Sequence, residues 1–260
     1  MGWKGLAIGG YLGALFGGPL GVILGALLGH KAENLAFGKK NRPRYASMPP
    51  GERSKVFCAS AAAMFAKMAK VDGAVTMDEI SGVETAFRRL GFSPAARRYA
   101  VSVFRRAKND SHSIFEYAVD FAHAVDSTEV RELLYEILWD LACADGEVTR
   151  AELAVLQRIP RALKIPSEWY AYFAAQRLGA GRRGNRQSGG DSLSSAYALL
   201  GASAADDAET LKRKYRELAK KNHPDALRAQ GLPEEMVGKA TERMSRINAA
   251  WTAIKEARGM

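Results

Sequence analysis

The sequence predicts an all-α protein with an N-terminal glycine-zipper transmembrane helix, a central helical bundle and a C-terminal helical hairpin. Three observations lead there. Glycine recurs at every fourth position from Gly5 to Gly29 inside an uncharged stretch. Apolar residues follow helical spacing through residues 52–178, with no competing alternation of the kind that marks strands. Near the C-terminus two long amphipathic stretches flank a proline, which a continuous helix cannot accommodate.

The first element covers residues 1–30. Between Lys4 and His30 lie 25 uncharged residues, about 37 Å as a helix, enough to cross a hydrocarbon core of roughly 30 Å. Glycine weakens helices in water. In lipid, however, every backbone group must bond within the segment, so the helix survives its glycines, and a ridge without side chains lets a second helix approach closely. Four residues advance about 400°, so the stripe drifts by about 40° per step. A crossing homodimer would use three or four of Gly9, Gly13, Gly17, Gly21 and Gly25, and a higher oligomer more than one face; a lone anchor is the alternative. Pro19 kinks the span. Lys31, Lys39, Lys40, Arg42 and Arg44 follow the span and Lys4 alone precedes it. The positive-inside rule then gives a single-pass span with the C-terminal domains in the cytoplasm and the N-terminus on the opposite side of the membrane.

The formal net charge is +10, and its distribution argues against a nucleic-acid surface. Residues 31–55 carry +5 and residues 177–190 carry +4, so the excess sits in two connectors. Residues 31–51 read as a basic juxtamembrane linker. GAGRRGNRQSGGDS, residues 179–192, lacks apolar rhythm and reads as a flexible linker. Cys58 and Cys143 form no Cys-x-x-Cys pair and lie in helix-like apolar stretches, which suits buried thiols in a reducing compartment.

Within residues 52–178, Ser93-Pro94 reads as an N-cap with proline at the first helical position, Gly91 as a helix stop, and Thr128 as the cap before EVRELLYEILWDLACA. VDGAVTMDEI (71–80) recurs as ADGEVTRAEL (144–153). Two explanations of the repeat stand side by side. Gly73 and Gly146 end helices while Thr76-x-x-Glu79 and Thr149-x-x-Glu152 open the next ones as capping boxes. Alternatively Asp72, Asp78 and Glu79, with Asp145, Glu147 and Glu152, supply oxygen ligands to a divalent cation. The ligand spacing of a full EF-hand is missing. His112 and His123 stand alone.

In residues 193–260 the helical stretches are AYALLG (196–201), Asp206 to Asn222, and Pro233 to about Ala257, with His223-Pro224-Asp225 in a loop at the hairpin tip. Lys212, Arg216 and Lys220 fall at i, i+4 and i+8 on one face, with Lys221 beside them. Tyr215, Leu218, Leu199, Leu200, Ile247, Ala250 and Trp251 are expected to pack the helices together. His223 and Asp225 have no accompanying nucleophile, phosphate loop or third group, so an acid–base enzyme is the weaker reading.

YALLG (197–201), YRELAKKNHPD (215–225) and RINAAW (246–251) together resemble the J domain of DnaJ-type co-chaperones. Residues 52–178, with their acidic loops, resemble the TerB-like tellurite-resistance fold, for which the resemblance implies divalent-metal binding. The order of anchor, TerB-like domain, linker and terminal J domain resembles membrane-anchored co-chaperones of the DjlA type. That resemblance implies a regulatory co-chaperone, not an enzyme, needing no cofactor. His223, Pro224 and Asp225, with Lys212, Arg216, Lys220 and Lys221, would engage a DnaK-type ATPase and accelerate its hydrolysis of ATP. A helical metal or envelope-stress sensor with the J domain as its output is the alternative. Glu217 and Ala226 depart from the family, where basic residues are common, which bears on affinity or on the choice among DnaK paralogues.

Overall fold

The computed structural model describes residues 45, 49–72, 84–143, 148–179 and 189–260. All regular elements among the described residues are helical. They are α1 (Pro50–Ala69), a 3-10 turn at Lys70–Asp72, α2 (Pro94–Asn109), α3 (Ile114–Ala124), α4 (Thr128–Ala142), α5 (Arg150–Leu163) and α6 (Glu168–Gly179). After them come α7 (Gly189–Leu199), α8 (Ala208–Asn222), α9 (Pro224–Ala229), a 3-10 turn at Glu234–Met236 and α10 (Val237–Arg258). Residues 84–89 are also helical.

Two helices form the centre of the bundle because they are buried all round. Val56 to Met68 of α1 are buried without a break, as are Val130 to Trp139 of α4. Helices buried around their whole circumference sit inside, and on α4 the acids Glu132 and Glu136 are covered along with the apolar residues. The alanines at 59, 61, 62, 63 and 66 let neighbours come close to α1, and α2 packs along it. Trp139 is the largest buried side chain, surrounded by the rings of Tyr135, Tyr170 and Phe173.

Helix starts follow side-chain chemistry. Ser93 caps α2 ahead of Pro94, accepting from the Ala96 amide. Thr149 and Glu152 form the expected capping box on α5, and Ser113 with Glu116 forms another on α3. The expected cap at Thr128 falls one residue earlier: Ser127 accepts from the Val130 amide and Thr128 is the first helical residue. Gly91 ends its helix at φ 85°, a backbone conformation that side chains disfavour.

Asp110 ties three elements together. It accepts from Lys67 of α1 at 2.6 Å, from the Tyr117 hydroxyl of α3, and from the His112 amide at 3.0 Å. Burial works to raise its pKa, but Lys67 and Tyr117 outweigh it and hold the carboxyl below the usual range. A depressed folded-state pKa contributes stability that is present above the unfolded value, about 3.9, and is lost as pH falls through the folded value. Asp110→Asn is therefore expected to cost about 1 kcal/mol near neutral pH, partial exposure screening the ion pair. It should also flatten the acid limb of the stability curve, which urea titrations between pH 2 and roughly pH 7 would read.

Cys58 is buried, Cys143 is half-buried, and both are free. Burial pushes both thiols up, which leaves them poor nucleophiles.

Candidate partner-binding site

The site is assembled on α8 and the turn that follows it. Asp207 caps α8 by accepting from the Thr210 amide at 2.7 Å. One residue earlier, Asp206 accepts from Lys214 at 2.7 Å and from the Ser203 amide, which together hold its carboxyl below the usual range. Arg258 at the far end of α10 closes this entrance, donating to the carbonyls of Asp206 and Ala204 and to the Tyr197 hydroxyl.

The inner face of α8 is apolar. Leu211 is fully buried, Leu218 is half-buried, and Tyr215 stacks flat on Trp251 with ring centres 4.9 Å apart. Leu199, Leu200, Ile247 and Ala250 complete this packing, as their spacing predicts. The outer face is cationic: Lys212, Arg216, Lys220 and Lys221 are all exposed.

The tip departs from the loop expected from sequence. His223 ends α8 and at once caps α9, its Nδ1 accepting from the Asp225 amide at 3.3 Å. Pro224 takes the first helical position, where its fixed φ fits and its missing N–H costs nothing. A proline that terminates one helix thereby starts another. The His223 side chain is 55% exposed and that of Asp225 74%. Arg228 donates to Asp225 at 2.9 Å and to Glu234 at 3.0 Å, so the tip carboxylate is held by a neighbour one turn away. Sequence reading passed over Arg228, although its i+3 spacing from Asp225 was a usable signal. The structure thus exposes an imidazole and a carboxylate at the turn, beside a row of cations whose charge would attract an acidic surface.

The acidic repeat is only partly in view. Asp78, Glu79, Asp145 and Glu147 lie outside the described residues, and Asp72 ends the 3-10 turn after α1. Glu152 accepts from the Thr149 amide and hydroxyl in its capping box. Among the described residues no three metal-ligating side chains cluster. The glycine stripe from Gly9 to Gly25 also lies outside the described residues, and no helix within them is long and apolar enough to cross a membrane.

Comparison with known proteins bears on all three parts. Residues 1–41 match the family model of the co-chaperone DjlA transmembrane domain, residues 59–173 that of the tellurite resistance protein TerB, and residues 195–258 that of the DnaJ domain. The chain is similar to the co-chaperone protein DjlA of Vibrio cholerae serotype O1, with 31% identity over 98% of both chains. It is 30% identical to that of Photobacterium profundum over 98% of this chain and 99% of the relative. With that of Escherichia coli O157:H7 it shares 31% identity over 80% of this chain and 82% of the relative. No solved structure matches. With anchor, TerB and DnaJ segments each matched and a relative aligned along nearly its whole length, the chain belongs to the DjlA family of co-chaperones.

Proposed function

We propose that the chain is a membrane-tethered regulatory co-chaperone that stimulates ATP hydrolysis by a cytoplasmic DnaK-type chaperone and brings it to clients at the inner membrane. The observation that carries this reading is the joint exposure of His223 and Asp225 at the tip and of Lys212, Arg216, Lys220 and Lys221 along α8. Cations on one helix face steer an acidic partner, raising its on-rate at low salt. Anchoring raises the local concentration near membrane clients without any new contact. The periplasmic N-terminus and the pairing of two copies along the glycine stripe belong to the same reading.

One preparation tests both parts. The whole chain, fluorescently labelled and reconstituted in liposomes, is added to a DnaK-type ATPase preloaded with ATP. Single-turnover hydrolysis should accelerate at low ionic strength and lose most of that gain as salt rises. No acceleration at low ionic strength would sink the proposal. Bleaching in two steps per fluorescent spot is expected from paired anchors, and uniform single steps would leave a lone tether.

A further inference from the structure

The DnaJ segment is not a free appendage of the bundle. On α4, Glu132, Glu136 and Asp140 stand at i, i+4 and i+8; on α10, Lys239, Arg243 and Arg246 stand at i, i+4 and i+7, each set sharing a helical face. The two sets meet. Arg243 donates to Glu132, Arg246 to Glu136, and Lys239 lies 3.2 Å from Asp140. The Arg243 guanidinium also lies over the Trp169 ring of α6 at 4.4 Å from its centre. Beside this charged seam, Leu227, Leu232, Met236 and Ala240 are buried in the same core as α1 and α4. Ser54 donates to Glu235 at 2.9 Å, and Ser127 donates to Gln230.

We infer that the TerB-like bundle is the intramolecular docking partner of the DnaJ segment, through a salt-sensitive clamp that fixes the His223-Pro224-Asp225 tip pointing outward and can release it. The docked face is the α9–α10 connection and the first half of α10. The face argued to meet a partner remains in solvent. Docking therefore orients the tip without masking it.

The clamp is built to be specific and not very strong. Taking charges out of water nearly cancels their attraction, so buried ion pairs set a pose more than they add stability. Glu136 is 1% exposed and Arg243 likewise. Glu136 Oε2 and Arg243 Nε and Nη1 are buried without a hydrogen-bond partner among the described residues. Such unmet groups narrow the margin between docked and released states.

This inference stands apart from the identity of any ATPase partner, and its test uses none. A protease site placed within residues 180–188 of the full chain in nanodiscs allows the connection to be cut. The released DnaJ piece should remain with the bundle at low salt and elute separately at high salt. Arg246→Glu should abolish retention at low salt, and Arg246→Glu combined with Glu136→Arg should recover it. Trp169→Leu, which keeps an apolar side chain but removes the ring under Arg243, should lower the salt concentration at which the piece leaves. Circular dichroism checks that each variant is folded. Elution of the unmutated piece at every ionic strength would overturn the clamp, and so would retention unaffected by salt and by Arg246→Glu.

Discussion

In the His223→Gln variant, stimulation of the DnaK-type ATPase is expected to vanish while the protein keeps its fold. The His223 side chain is more than half exposed, and the hydrogen bond to its ring is the cap to the Asp225 amide. A glutamine oxygen can accept the same bond, so the stability loss should stay under about 1 kcal/mol. What disappears is a flat imidazole at the apex of the tip, presented beside an exposed carboxylate. If that ring is used as the partner passes its hydrolytic transition state, its removal lowers the rate without lowering the amount of complex. A loss of at least tenfold in single-turnover hydrolysis corresponds to about 1.4 kcal/mol of barrier. Stimulation equal to that of the unmutated chain, with identical melting, would remove His223 from the mechanism.

The largest stability effect is expected at Trp139. Truncation to alanine should cost roughly 3–5 kcal/mol, the range for a buried aromatic whose surroundings cannot collapse. Tyr135, Tyr170 and Phe173 lean on this ring from α4 and α6, with centres 5.8 to 6.5 Å away. None can fill its place without leaving its own. Glu136 and Asp140 flank Trp139 on the same helix and hold Arg246 and Lys239, so the cavity should loosen the seam as well as the bundle. Denaturant titration with unchanged m measures the loss; an unmoved midpoint would contradict the packing described for α4.

Much of this molecule was legible in its sequence because the signals were local. A serine before a proline caps α2, Thr149 and Glu152 cap α5, and the alanine-rich run of α1 has almost no polar face to leave outside. The cationic row on α8 could be read from spacing alone. Two short-range details slipped. Ser127 and Thr128 carry equivalent hydroxyls, and only backbone geometry decides which one meets the Val130 amide. Pro224 reads as a breaker, yet the proline whose ring and missing N–H end α8 has a φ that suits the first position of α9.

The clamp lay beyond such reading for a different reason. Acids at i, i+4 and i+8 on α4 look identical to a solvated helix face until their partners, over a hundred residues away, are brought against them. Nor did the apolar character of Leu232 and Met236 say which core would take them.

The burial of Leu227, Leu232, Met236 and Ala240 among bundle residues bears on how interchangeable the terminal segment is. A DnaJ segment transplanted from an unrelated chain would arrive with its own tip but without a matching sole, and would swing loose on its leash. The two halves are matched in charge as well as shape: reversing an acid on α4 calls for reversing the cation that faces it on α10.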